Sequence, residues 1–173
     1  MIEPQASRPD MPGYGIAGPL EGRELLPWTW AEDRLVDSHD YWLATVHPAG
    51  PHVTPVWGVW QDSAAWFSSS PQSRKAKNIA VNPQVVITTD NPLQPVVVEG
   101  EAEPVVDHET IEQFTAWVNQ KYRTEIAVEF FAQNTCFRLG PRRVFSLDES
   151  DFTTSPTRWT FGGGPENGDR GPG

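Results

Sequence analysis

Residues 66–83 read Trp66-Phe67-Ser68-Ser69-Ser70-Pro71-Gln72-Ser73-Arg74-Lys75-Ala76-Lys77-Asn78-Ile79-Ala80-Val81-Asn82-Pro83. An apolar pair followed by serines suits the end of a strand, and Ser70-Pro71-Gln72 suits a turn. Ser73 stands at the N-cap position of a helix over 73–81, which Asn82-Pro83 stops. Arg74, Lys75 and Lys77 crowd the first turn, where each cation opposes the helix dipole by about 0.3–1 kcal/mol. A bound anion resolves the conflict, because free backbone N–H groups, serine hydroxyls and cationic side chains can converge on it. A dianionic phosphate is the natural occupant. The competing reading is a solvated basic helix face, and spacing alone does not separate the two. Lysine usage leans toward the anion: the chain has three lysines, Lys75, Lys77 and Lys121, and two of them lie here.

Working outward, 41–46, 52–60 and 64–69 have strand character and are joined by short connections, which predicts an antiparallel meander. Pro55 and Gly58 interrupt the second of these strands. A fourth strand is expected over 84–89 and a long fifth over 95–106, where Val97, Glu99, Glu101 and Glu103 share one face. That face reads as solvated, not as an acidic catalytic cluster. Asp107 caps a helix whose Ile111, Phe114, Val118 and Tyr122 share a core-packing stripe. A short helix over 125–133 and strands at 135–139 and 143–147, joined at Gly140-Pro141, complete the pattern. Upstream, a short helix opens within 26–35 with Thr29 as its N-cap. The class is mainly β with peripheral helices, and an antiparallel barrel fits the order best. Residues 1–27 form a Pro/Gly-rich arm, 28–161 the folded domain, and 162–173 a tail expected to be disordered.

Composition narrows the function. With a net charge of −10 at pH 7, neither nucleic acid nor an anionic membrane surface is expected as a partner. No apolar run approaches about 18 residues, and no charged start leads into an apolar run at the N-terminus. Cys136 is the only cysteine, so there is no internal disulfide. A reducing cytoplasm is the expected setting. The histidines His39, His47, His52 and His108 have no metal-ligand spacing. Cys136 reads as a buried thiol, and no serine lies in a nucleophile elbow.

The triplet Ser73-Arg74-Lys75, followed by Asn78-Ile79 and Asn82-Pro83, resembles the phosphate-binding stretch of the pyridoxamine 5′-phosphate oxidase-like split β-barrel flavoproteins. The resemblance spans about 38–147. It implies the FMN-binding type of split barrel and a homodimer with cofactor sites at the subunit interface. It also assigns residues. Val53, Thr54, Pro55, Val56 and Trp57 would lie along the flavin ring, Phe67 and Ser68 would flank the cofactor, and Ser73, Arg74, Lys75 and Lys77 would hold its phosphate. The run Phe152-Thr153-Thr154-Ser155-Pro156-Thr157-Arg158-Trp159-Thr160-Phe161 is similar to the closing motif of actinobacterial members grouped with deazaflavin (coenzyme F420)-dependent oxidoreductases. Met11-Pro12-Gly13-Tyr14-Gly15 and Leu26-Pro27-Trp28-Thr29-Trp30 are similar to the same subgroup. That implies hydride transfer between F420 and a small or planar organic substrate. FMN in the same fold, and a protein that holds a flavin, deazaflavin or haem without turnover, are the alternatives. The basic C-terminal stretch that holds substrate phosphate in the pyridoxamine phosphate oxidases proper is missing, with Arg158 the only candidate. This tells against the vitamin B6 reaction.

Two clusters keep two readings each. Trp57, Trp60 and Trp66 read as core and dimer-interface packing, or with Trp57 walling the ring pocket. Arg142-Arg143 reads as a solvated turn, or as a partner for the oligoglutamate tail of the deazaflavin. No residue stands out as a catalytic acid.

Overall fold

The structure is a computed structural model and describes residues 4–16 and 25–162. Of the tail expected over 162–173, only Gly162 is among the described residues. The elements in chain order are β1 (Gln5–Ser7), α1 (Trp28–Asp37), β2 (Asp40–His47), β3 (Gly50–Gln61), β4 (Ala64–Ser69), α2 (Arg74–Val81), β5 (Gln84–Thr88), β6 (Val96–Val105), α3 (His108–Tyr122), α4 (Val128–Ala132), β7 (Thr135–Ser146) and β8 (Thr157–Thr160).

All pairings are antiparallel, in the order β1-β8-β7-β4-β3-β2-β5-β6, and β6 also pairs with β7. That last pairing closes β2 to β7 into a six-stranded barrel. Strand period 2 fills it. Tyr41 and Leu43 of β2, Phe67 of β4, Ile87 of β5, Val98 of β6 and Leu139 of β7 all point inward and are buried. Helix α1 closes one end through Ala31 and Leu35, beside Trp159 of β8. A second core lies outside the barrel, where α3 and α4 set Ile111, Phe114, Val118 and Phe131 over Val59, Trp66 and Cys136. The helices are therefore peripheral to a mainly β split barrel.

Strand β3 is the strand that shapes the site. A two-residue loop makes His47 and Gly50 a hydrogen-bonded pair, so the even residues of β3 bond to β2. The odd residues face the other edge. Strand β4 pairs with β3 only from Gly58 to Gln61. Val53, Pro55 and Trp57 thus lie on a stretch paired with β2 on one edge and with no strand on the other. Pro55, which lacks an N–H, sits where no ladder bond is lost.

Several expectations need correction. The strands at 135–139 and 143–147 are one strand, β7. Gly140-Pro141 does not turn the chain. Instead β6 and β7 shift register between Glu99 and Gly100, and the missing Cβ of Gly100 lets the Gly140 carbonyl approach closely. Arg142 and Arg143 consequently lie on a strand and pair with Glu101 and Glu99, each at 3.2 Å. Part of the arm is also ordered: β1 adds to β8, and Arg8 donates to the carbonyls of Thr154 and Pro156. Helix α1 begins at Trp28 with Pro27, not Thr29, as its N-cap. A proline preset near φ −66° starts a helix without a capping side chain. No helix among the described residues is long and apolar enough to cross a membrane.

A side chain at Gly100 must push the β6–β7 backbones apart. Gly100→Ala is expected to lower unfolding free energy by about 3 kcal/mol, an overpacking cost. Urea denaturation should show a lower midpoint with an unchanged slope.

Candidate functional site

The basic stretch is folded by its serines. Ser73 caps α2, its Oγ accepting from the Ala76 N–H at 3.1 Å and sharing a hydrogen bond with Ser69 Oγ at 2.8 Å. The Ser73 N–H bonds back to the Ser70 carbonyl at 2.9 Å, which closes the turn. No acid occupies the first turn of α2. The rotation of α2 is set from below. Ala76 and Ile79 are buried against the barrel, and Asn78 Nδ2 donates to Thr45 Oγ1 at 2.9 Å. Asn78 is therefore an anchor inside the protein and not a ligand-facing group.

With α2 held this way, Lys75 is half-buried while Arg74 and Lys77 are exposed. A cavity of about 480 Å³ opens beside it. One end is polar, formed by Ser68, Ser69, Ser70, Ser73 and Lys75. The other is apolar, formed by Phe114, Val118, Ile126, Phe130 and Phe131, with Asn134 at its side. Trp57 also lines the cavity. The size and the few convergent polar groups are those of a small-molecule site.

Of the residues singled out in the sequence, Trp57, Ser68, Ser73 and Lys75 come together around this cavity. Arg74 and Lys77 are not among its lining residues. Val53 and Pro55 lie exposed on the uncovered stretch of β3, and Thr54 and Val56 alternate toward the barrel. Phe67 turns into the core and stacks on Phe137 at 5.1 Å. Trp60 and Trp66 are buried, whereas Trp57 is 49% exposed. Sequence reasoning missed the apolar end. Phe114 and Val118 lie on a stripe that reads as core, and only the Phe130-Phe131 pair at the end of the helical insert hints at more. Among the described residues no cluster of His, Cys, Asp or Glu is arranged to hold a metal ion.

Three strongly perturbed groups meet at Gly58, next to Trp57. Burial lowers Lys121 from the ordinary 10.5 to about 8, against the upward pull of Asp40 and Asp90. Burial also raises the phenols of Tyr41 and Tyr122, which lie beside it.

The pyridoxamine 5′-phosphate oxidase family model matches residues 31–153. The chain belongs to the pyridoxamine 5′-phosphate oxidase family. The match spans the closed barrel, the basic stretch and the helical insert that carries the apolar end. Among solved structures, a conserved hypothetical protein from Mycobacterium tuberculosis is 25% identical with a TM-score of 0.65, covering 72% of this chain and 86% of that one. An F420 reductase is 27% identical with a TM-score of 0.55, covering 65% of this chain and 94% of that one. An FAD-binding protein from Mesorhizobium loti, 20% identical with a TM-score of 0.58, covers 79% of this chain and 96% of that one and shares the fold. No curated protein matches the sequence. The family shares a split barrel, and in this member the cavity sits where β4 parts from β3.

Between pH 8 and about 10.5 unfolded Lys121 binds a proton that the folded protein has released. The unfolded state then carries more protons, so stability rises with pH across that window. The side chain is only partly buried, and solvent screens the effect. Above the ordinary tyrosine value of 10.0, unfolded Tyr41 and Tyr122 ionise while the folded phenols do not, and stability falls. Melting temperature should therefore climb from pH 8 toward 10 and then drop. Lys121→Met should flatten the climb and keep the drop.

Proposed function

We propose that this protein is a deazaflavin (coenzyme F420)-dependent oxidoreductase of the cytoplasm, transferring a hydride between the cofactor and a small or planar organic substrate. One observation carries the proposal: a single cavity joins a capped, cation-bearing helix start to an aromatic wall. A phosphate at the polar end would accept from the Lys75 ammonium, from serine hydroxyls and from the free N–H groups at the start of α2. The ring would extend from there past Trp57 along the uncovered stretch of β3. Resemblance to an F420 reductase at 27% identity supports the deazaflavin over other rings.

When bound, the deazaflavin supplies the hydride chemistry. The protein's part is to bind and orient it. Lys75 and the serines fix the phosphate, and Trp57 offers a flat face for the ring. Phe114, Phe130 and Phe131 keep the apolar end dry, which strengthens each polar contact at the other end. No side chain at the cavity is placed as a dedicated acid, so solvent serves for any proton. The phosphate end would hold FMN equally well, and the shared fold of an FAD-binding protein favours keeping FMN as the second reading.

The uncovered face of β2 and β3 supports a homodimer with the cofactor at its interface. Opposed residues on antiparallel strands share a face, so Trp42, Val46, Val53 and Trp57 lie together, 45–57% exposed. An apolar patch of this kind marks an association surface.

The tests are direct. F420 should raise the melting temperature more than FMN at equal concentration; the reverse ranking assigns FMN instead, and no shift with either rejects both. Lys75→Ala should weaken cofactor binding by about 1.5–3 kcal/mol, the cost of a charge-assisted hydrogen bond. An unchanged affinity would remove the phosphate assignment. Trp42→Glu should yield monomers in sedimentation velocity if the uncovered face is the dimer interface.

A further inference from the structure

Helix α3 carries its apolar stripe through Ile111, Phe114 and Val118 into the second core. Tyr122 is next on that stripe, partly buried and packed at the edge of that core, where its ring meets Trp57 of the uncovered β3 face. The helix ends immediately after it, because Arg123 is left-handed at φ 54°. Asn119 locks this end, its Oδ1 accepting from the Thr124 hydroxyl at 2.8 Å and from the Ile126 N–H at 2.9 Å. The position of Tyr122 is thereby set.

The tyrosine takes over a strand's work. Strand β2 begins at Asp40, opposite Trp57, so Gly58 has no ladder partner on that side. The Gly58 N–H donates to Tyr122 Oη at 2.9 Å, and Tyr122 Oη donates to the His39 carbonyl at 2.7 Å. Asp40 Oδ1 and the Gly58 carbonyl lie at 3.3 and 3.1 Å from the same hydroxyl. Lys121 Nζ donates to the Gly58 carbonyl at 2.7 Å. Gly58 cannot be larger, since a Cβ there would stand 2.8 Å from the Trp66 carbonyl oxygen and 2.9 Å from Tyr41. The strand is therefore held at the residue next to Trp57, and the Tyr122 ring lies flat against the Trp57 indole at 4.2 Å and 4°.

We propose that Tyr122 is a positioning residue that holds the Trp57 indole as a fixed platform at the mouth of the cavity, for the planar ring of the bound ligand. The inference rests on the reading of the cavity as a ring-cofactor site. Tyr122 covers one face of the indole and fixes its plane, while the hydroxyl and Lys121 fix the backbone that carries it. Trp57 keeps about half its surface free and lines the cavity. A planar ring that meets a preset indole loses less freedom on binding than one that must order it.

The experiment separates ring from phosphate. Ring-only probes, riboflavin and the deazaflavin riboside, are titrated by their fluorescence, and inorganic pyrophosphate by calorimetry. Tyr122→Leu is expected to weaken the ring probes about tenfold, the scale of one aromatic stack. Their quenching on binding should fall, and pyrophosphate binding should stay unchanged. In a Trp57→Ala background the same substitution should have no further effect, because Tyr122 acts through Trp57. Tyr122→Phe, which keeps the stack and loses the hydroxyl, should restore most of the quenching. In the ligand-free protein labelled with 5-fluorotryptophan, the Trp57 fluorine resonance should shift in Tyr122→Leu. If that variant unfolds, Tyr122→Phe decides: the Trp57 resonance should broaden while pyrophosphate binding persists. Unchanged ring binding and an unchanged Trp57 resonance in a folded Tyr122 variant overturn the inference alone, and so does an equal loss in the Trp57→Ala background. If the wild-type protein binds no ring probe, FMN or F420, the ring-cofactor reading fails and takes this inference with it.

Discussion

The site depends on a mismatch of strand lengths. β3 runs twelve residues, and β4 accompanies it only over its last part. Backbone groups beside an unpaired stretch need partners, and a strand edge left open invites them. Past Ser69 the chain leaves the sheet, turns through Ser70 and enters α2. The gap between the abandoned stretch of β3 and the start of α2 is where the polar end of the cavity lies. Prolines at 51 and 55 reduce the donors on that edge, which blunts it against pairing with a stray strand while leaving it accessible to a ligand.

The helical insert completes what the split begins. α3 and α4 cover the outer face of the barrel from Val59 onward, and their aromatic residues roof the cavity. The cover stops at Tyr122, so the same outer face changes abruptly from core to exposed apolar surface at Trp57. One face of one sheet thus passes in succession from helix-covered packing to cavity wall to exposed apolar surface, the last being the face proposed for the dimer. The physical reason is that α3 reaches only as far as the left-handed Arg123 allows.

Local chemistry was legible where it is decided by neighbours in sequence. The Ser73 cap, the Asn82-Pro83 stop, the Asp107 cap and the strand alternation of β6 were all readable, because caps and period-2 patterns act within a few residues. The β7 strand was not. Gly140-Pro141 looks like a turn, and only the partner strand, through the close approach at Gly100, shows that the chain continues. Arg142 and Arg143 stay exposed but pair with Glu101 and Glu99, a pairing set by register. At the site, the three cations read as one cluster. Asn78 on Thr45 fixes the helix rotation that turns Lys75 inward and leaves Arg74 and Lys77 outside.

By itself the sequence determined that residues 73–81 begin as a capped helix with misplaced cations, and that a mainly β chain surrounds it. Those features follow from backbone donors, side-chain caps and hydrophobic period, all local. Only the tertiary structure decided which cation faces the cavity, that a buried helix stripe supplies its apolar end, and that Trp57 is half exposed while Trp60 and Trp66 are buried. Each of these turns on which surfaces meet across the fold, and contacts between residues 57 and 122 or 45 and 78 leave no trace in local pattern.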